Sequence, residues 1–188
     1  DYGRVITGPI TLAGERLPAL DLAARVVENR LRFDTKWQLL ETVPAHIMGQ
    51  VDARGVQIEA TIPPTQISAS SAVGKRFKAL QGMEVTGTIG ADASIKYLNG
   101  KLTPHVLATL KDVSFQEETT GASASGVTGE VTFNGLAPLT TPQTQRLKVS
   151  SFKIGEDVEL NNGDLAFRIT AATDLFIERV RDGFGGKG

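Results

Sequence analysis

The sequence predicts a mainly β fold, a curved and mostly antiparallel meandering sheet, groove-like or sandwich-like, with one short α-helix. Apolar and polar residues alternate with a period of two along many short runs, the pattern of strands with one buried and one wet face. Gly and Asn turns separate these runs. No run alternates with regular helical segments, so βαβ units are not expected, and antiparallel meanders are the default topology.

The N-terminal part predicts a series of strands with one apolar side. Arg4 to Ala13 is predicted to form a hairpin around Gly8–Pro9. Ala19 to Glu28 is compatible with strand or helix, and its alternation favours strand. The clearest strand carries Leu31, Phe33, Thr35, Trp37 and Leu39 on one side. Further alternation runs to Ile62, and Pro63–Pro64 is predicted to end the sheet there.

The middle of the chain contains the one helix candidate, Ser68 to Gln81. Val73, Phe77 and Leu80 fall at i, i+4 and i+7, which would place them on one helix face. Beyond Gly82 the β pattern returns, with a predicted turn at Asn99–Gly100 and a strand from Leu102 to Phe115. The small and polar residues from Glu117 to Gly126 predict an exposed loop.

The C-terminal part, Val127 to Gly188, predicts a β-meander with one apolar face. Val127, Val131 and Phe133 alternate with polar residues, and the pattern resumes at Leu147 after a break. The phase changes at Ser150–Ser151, where either a bulge keeps the apolar residues on one face or a straight strand divides them. Asn161 to Asp164 is predicted as a turn between two strands. Leu175 to Val180 forms the last strand.

The composition excludes several functional classes. The 188 residues suffice for a single β-rich domain, 1–188, and a net charge of −1 gives no basic excess for nucleic acid. There are no cysteines, and His46 and His105 lie near no carboxylate cluster in the sequence. No serine lies in a nucleophile-elbow motif. We therefore expect no enzymatic activity, no catalytic residue, no metal and no cofactor.

Several short motifs of the C-terminal part resemble one family. They are Leu136-Ala-Pro-Leu-Thr-Thr-Pro142, Leu147 to Gly155, Asn162-Gly-Asp-Leu-Ala-Phe167, Leu175-Phe-Ile-Glu178 and Gly185–Gly186. They are similar to the C-terminal region of the YdbH family, AsmA-like proteins of the Gram-negative envelope whose domain has an old dicarboxylate-transport label. The resemblance covers about the last two-thirds of the chain.

The resemblance implies a long, groove-like β-sheet that moves phospholipid between the inner and outer membranes. It also implies a periplasmic location, an inner-membrane anchor and a small outer-membrane lipoprotein that adds strands near the C-terminal end. No apolar run here reaches the roughly 18–20 residues of a transmembrane helix, and no signal peptide begins the chain. We therefore expect an excised C-terminal fragment of a longer envelope protein.

Two functions follow as hypotheses. In the first, an apolar groove binds phospholipid acyl chains through apolar residues of the clearest strand and of the C-terminal meander: Leu31, Phe33, Trp37, Leu39, Val131, Phe133, Leu165, Phe167 and Ile169. Leu175, Ile177 and Val180 would then form the edge that pairs with the lipoprotein. In the second, the chain is a structural or adhesion-type β-sandwich that binds protein partners through strand edges. The same apolar residues would also suit an ordinary packed core.

Overall fold

The alternating runs form strands in the computed structural model of the chain. The structure describes residues 2–6, 8–12, 15–17, 19–40, 43–68, 83–117, 121–136, 138–154, 158–171 and 174–181. The described residues contain strands and no helix. The helix predicted from Ser68 to Gln81 lies, apart from Ser68, outside the described residues.

Fifteen strands follow one another along the described chain. In order they are β1 (Tyr2–Ile6), β2 (Ile10–Leu12), β3 (Glu15–Leu17), β4 (Asp21–Val27), β5 (Arg30–Leu40), β6 (Val43–Asp52), β7 (Gly55–Ile67), β8 (Met83–Leu98), β9 (Lys101–Glu117), β10 (Ser123–Phe133), β11 (Gly135–Leu136), β12 (Leu139–Thr140), β13 (Gln145–Ile154), β14 (Val158–Ala171) and β15 (Asp174–Arg181). The mainly β class and the antiparallel meander predicted from the sequence are confirmed.

Eleven of these strands form one large antiparallel sheet. Their order is β1-β4-β5-β6-β7-β8-β9-β10-β13-β14-β15, so almost every strand pairs with its neighbours in sequence. β1 and β15 stand at opposite ends and do not pair with each other, so the sheet stays open. The small pairs β2–β3 and β11–β12 are separate two-stranded sheets. The described residues therefore form one large sheet and no second layer of comparable size.

The predicted N-terminal hairpin is wrong in its pairing. β1 pairs with β4, with Val5 opposite Leu22, whereas β2 pairs with β3, with Ile10 opposite Leu17. Alternation in a single run identifies a strand but carries no information about its partner. An exposed ion pair between Arg4 and Asp21 also joins β1 to β4. The Arg4 guanidinium donates hydrogen bonds to the Asp21 carboxylate and thereby lowers the pKa of that carboxyl.

Tight turns join several of the long strands. Asn99 and Gly100 have φ of 51° and 78°, as the favoured two-residue hairpin turn requires, and their prediction as a turn is confirmed. The turn before β5 is made by Glu28 and Asn29, which also have positive φ. The predicted loop after Glu117 is shorter than expected, because β10 already begins at Ser123.

At two places the sequence predicted that a strand ends, but in the structure the strand continues. β7 continues through Pro63–Pro64 to Ile67, and its register with β8 shifts by one residue between Ile62 and Thr65. A bulge there removes the two prolines from the hydrogen-bonded ladder. Likewise β14 runs through Asn161 to Asp164, with Asn161 opposite Ser151 and Asp164 opposite Lys148. Asn162 has a φ of 53°, which makes it a local irregularity rather than a turn.

Irregular backbone recurs at the same level of neighbouring strands. Gly87 in β8, Asp112 in β9 and Gly126 in β10 all have positive φ, of 120°, 51° and 62°. The register between β8 and β9 shifts beside Gly87, and that between β9 and β10 shifts beside Gly126. Together with Asn162 in β14 they form a line across the strands from β8 to β14, which we term the crease. Because bulges bend strands, the crease is a source of curvature in the large sheet.

The crease also resolves the phase change at Ser150–Ser151. β13 keeps one register with β14 on both sides of the serines, so β13 itself shows no register shift. Phe152 nevertheless packs against the same apolar cluster as Leu147 and Val149. The irregular residues that flank Ser150 are Gly126 and Asn162 in the neighbouring strands. The apolar residues on both sides of the serines therefore contribute to one core.

The main core lies beside the crease, on the strands from β8 to β14. Its buried members are Val113, Ala124, Val127, Val131, Leu147, Val149 and Phe167. The β11–β12 hairpin is held to β14 by a hydrogen bond of 2.9 Å from the Thr141 amide to the Ile169 carbonyl. This part of the sheet therefore has a packed interior of its own.

We expect Gly87→Ala to lower the free energy of unfolding by about 1–3 kcal/mol, the usual cost of forcing a side chain into a glycine conformation. A Cβ at Gly87 would lie 2.6 Å from the Asp112 carbonyl oxygen, too close for an ordinary contact. Urea titration of both variants measures the difference. Gly90→Ala, three residues away in β8, is the control, because a Cβ there would meet nothing nearer than 3.4 Å. Equal stability of the two variants would show that Gly87 carries no special constraint.

The apolar face as a candidate functional site

Antiparallel register places the apolar residues of the large sheet on one face. One row across six strands consists of Thr35, Ile47, Ala60, Ala93, Val106 and Phe133. A second row continues toward the C-terminal end as Ile89, Leu110, Gly129, Leu147, Leu165 and Val180. The opposite face is mostly polar, as in the row of Asp34, Met48, Glu59, Ser94 and His105. Successive residues of a strand point to opposite faces, so the period-2 pattern produces this division.

Large side chains cover glycines on the apolar face at two places. The ring of Phe33 lies directly over Gly49 on the paired strand, in the space that a Cβ would occupy. Leu147 lies over Gly129 in the same manner, with its Cδ2 atom 2.9 Å from the Cβ position. A large side chain across a glycine restores packing that the glycine lacks. Phe33 and Leu147 are therefore packed against the backbone of the paired strand on the apolar face.

The predicted lipid-binding residues all lie on the apolar face, where their side chains are described. Leu31, Phe33 and Trp37 come from β5, Val131 and Phe133 from β10, and three more from β14: Leu165, Phe167 and Ile169. The Leu39 side chain lies outside the described part. The register brings the β5 group and the β10–β14 group onto one face, but four strands separate them.

The burial of these residues divides them into two sets. Val131 and Phe167 are 5% and 9% exposed and belong to the packed core. Phe33, Trp37, Phe133, Leu165 and Ile169 are half-buried, and Leu31 is exposed. Val131 and Phe167 therefore contribute chiefly to stability. Phe133, Leu165 and Ile169 pack against the same core and, being half-buried, also present surface on the apolar face.

The apolar face carries one further row of residues. Only Leu31 of this row was among the lipid-binding residues predicted from the sequence. The row lies where the strands meet their tight turns and consists of Val26, Leu31, Val51, Val56, Tyr97 and Leu102. We term it the turn-side row. Val26, Tyr97 and Leu102 are 58%, 49% and 57% exposed. A sequence signal was present, because each residue is the last position of the apolar face before a turn or the first after it.

At the opposite ends of β6 and β7 the apolar side chains are buried. Val43 at the start of β6 and Ile67 at the end of β7 are almost completely buried. Trp37 lies toward this end, opposite Ala45, and its indole Nε1 is buried without a hydrogen-bond partner. The apolar face is thus open along the turn-side row and covered at the other end of β6 and β7.

The polar face carries hydrogen bonds between neighbouring strands. His46 Nε2 lies 2.6 Å from Asp34 Oδ1, so this histidine has a carboxylate partner that the sequence analysis did not foresee. Thr61 donates a hydrogen bond to Asp92 at 2.9 Å, and Thr88 to Gln66 at 2.9 Å. Shallow depressions of about 400 Å³ lie beside Arg32 and Met48. Each of these hydrogen bonds joins a single pair of polar groups on neighbouring strands.

The described residues contain no group of three or more His, Asp or Glu side chains arranged to hold a metal ion. Nor do they include any helix with the length and apolar character needed to span a bilayer.

Comparison with known proteins gives one family. The family model YdbH-like, described as intermembrane phospholipid transport protein YdbH, matches residues 2–186. No curated protein and no solved structure matches the chain. The match extends the resemblance seen in the C-terminal motifs to nearly every residue, including the N-terminal strands. The described family is a transport family rather than an enzyme family. The chain belongs to the YdbH-like family of intermembrane phospholipid transport proteins.

Proposed function

We propose that the apolar face binds the acyl chains of phospholipids during their transport between the inner and outer membranes of Gram-negative bacteria. The supporting observation is the continuous apolar face of an open sheet, on which most central residues are half-buried rather than sealed in a core. Transport by such a surface needs no catalytic group, because each buried methylene contributes roughly 0.8 kcal/mol to binding.

The dimensions of the sheet suit an acyl chain. Eleven strands have ten steps between them, and steps of about 4.8 Å give a path of roughly 48 Å across the sheet. One leaflet of the hydrocarbon region is about 15 Å thick, half of the roughly 30 Å of a bilayer core. An acyl chain that lies across the strands would therefore fit within the face. The residues proposed to line its path are Leu31, Phe33, Trp37, Leu39, Phe133, Leu165 and Ile169, with Val131 and Phe167 beneath them.

Photo-crosslinking at two adjacent positions of β9 tests this proposal. Val106 lies on the apolar face and His105 on the polar face of the same strand. A photo-crosslinking amino acid at position 106 should capture phospholipid in cells, whereas the same group at position 105 should not. Equal capture at both positions, or none at position 106 in a folded protein, would contradict the proposal.

The family resemblance also motivates a proposed site for a protein partner. β15 pairs only with β14 among the described strands, so its other edge is available for strand addition by a small outer-membrane lipoprotein. Leu175, Ile177 and Val180 belong to this strand. We place the protein in the periplasm, with an inner-membrane anchor in the full-length protein, as the resemblance implies. A strand-edge adhesion function would use the same edge without lipid.

We expect Ile177→Pro to abolish association with such a lipoprotein while the rest of the sheet stays folded. Proline lacks the amide donor that strand addition needs, and β15 is the last strand in the sheet. Co-purification of the lipoprotein with the full-length protein measures the association. Proline at Ile6, in β1 at the other end of the sheet, is the control and should leave association intact. Unimpaired association of Ile177→Pro would place the interface elsewhere.

A further inference from the structure

We propose that the turn ends of β4–β9 form the edge from which phospholipid headgroups protrude, held there by basic side chains. This inference rests on the proposed acyl-chain function and specifies the orientation of the lipid. The apolar face has two long borders, and the strand ends at each border differ in exposure and in charge.

Exposure distinguishes the two borders first. The turn-side row is continuous with the apolar face, and Val26, Tyr97 and Leu102 on it are about half exposed or more. At the other border Val43 and Ile67 are buried. An acyl chain can therefore leave the face at the turn side without displacing packed side chains. Tyr97 at this border combines an apolar ring with a polar hydroxyl, as residues at a lipid–water boundary do.

The two borders of the apolar face also differ in the charge of the residues near the strand ends. Six basic residues lie within three positions of the turn ends of β4–β9: Arg25, Arg30, Arg32, Arg54, Lys96 and Lys101. The acidic residues there are Glu28 and Asp52, and Asp52 already pairs with Arg54 at 3.4 Å. Among the described residues at the other end of β8 and β9, the charged residues nearest the strand ends are acidic, Glu84 and Glu117.

The cations at the turn ends are available to a ligand. Arg25 and Arg32 lie directly opposite each other, although like charges in that position destabilise a strand pair. None of Arg25, Arg30, Lys96 and Lys101 forms an ion pair with a described residue. A phosphate bound beside the guanidinium groups of Arg25 and Arg32 would relieve their repulsion.

The turn-side row and the basic residues lie on opposite faces of the same edge of the sheet. Register places the turn-side row on the apolar face and the basic residues on polar-face positions of the same strand ends. Arg30 and Lys101 are the first residues of their strands, and one residue of a strand spans only about 3.3 Å. A lipid whose glycerol end lies over the turn-side row thus has its phosphate within reach of these side chains.

Fluorescence quenching with labelled lipid tests the orientation. The chain has no cysteine, so Ala53→Cys at a turn and Gln116→Cys near the other end of β9 each provide a single labelling site. Phosphatidylethanolamine with a nitroxide on its headgroup should quench a fluorophore at position 53 and leave one at position 116 unquenched. Equal quenching at the two positions, or quenching at position 116 alone, would overturn the inference.

Charge neutralisation supplies a second measurement. The combined variant Arg30→Gln, Lys96→Gln and Lys101→Gln should retain phosphatidylglycerol at least about threefold less well, given the usual contribution of a basic side chain near anionic lipid. Lys111→Gln, Lys148→Gln and Lys153→Gln, which remove the same charge elsewhere, should retain it normally. Equal retention by the two variants would overturn the role of the cations. If the proposed function itself fails, neither variant nor wild type will crosslink acyl chains at position 106.

Discussion

Phe133→Asp is expected to abolish the crosslinking of phospholipid to the protein while the protein stays folded. Phe133 is half-buried on the apolar face, at the end of a row whose other members are alanine and β-branched residues. A carboxylate there would have to lose its hydration when an acyl chain approached, which costs far more than the contact contributes. Crosslinking to phospholipid in cells and circular dichroism of the purified variant measure the two parts of the expectation.

The control for Phe133→Asp introduces the same charge on the other face. His105 is exposed on the polar side of β9, opposite Ser94, so His105→Asp should preserve both fold and crosslinking. A folded Phe133→Asp protein with undiminished crosslinking would contradict a lipid path at this position. Complete unfolding of Phe133→Asp would instead assign Phe133 to the packed core beside Val131.

Leu147→Ala is expected to lower the free energy of unfolding by about 2–5 kcal/mol, the usual cost of truncating a buried leucine. Leu147 is 7% exposed, belongs to the main core and covers Gly129 on the paired strand. Its removal would leave a cavity above a residue that has no side chain to fill it. Chemical denaturation monitored by tryptophan fluorescence measures the change.

The matched control for Leu147→Ala is Leu102→Ala, on the same face of the sheet. Leu102 belongs to the exposed turn-side row, so this variant should change stability by less than about 1 kcal/mol. The contrast separates the core of the apolar face from its open border. Similar losses at the two positions would mean that the turn-side row is packed in solution and unavailable to lipid.

The amino-acid sequence by itself determined the strands and the division of their faces. Strict alternation from Leu31 to Trp37 requires a strand, because a period of two fits no other regular structure with one buried side. Asn99–Gly100 was equally predictable as a turn, since both residues accept the positive φ that a tight hairpin needs. These properties depend on a few consecutive residues.

Only the tertiary structure decided which interruptions end a strand. Pro63–Pro64 and Asn161–Asp164 carry the usual residues of turns, yet β7 and β14 continue through both. The reason is nonlocal: β8 and β13 extend past these points and supply pairing on the far side, so the irregular residues become bulges within a ladder. The partner of β1 was unpredictable for the same reason.

Tertiary structure also decided the different environments of similar apolar residues. Val131 and Val26 both occupy apolar-face positions of alternating runs, but one is in the core and the other is mostly exposed. Their burial depends on how far each lies from the crease and from the turns, and on which strands pass beside it. The sequence determined the side of the sheet for each residue, whereas the pairing of distant strands determined whether that side is packed or open, because burial depends on neighbours remote in the chain.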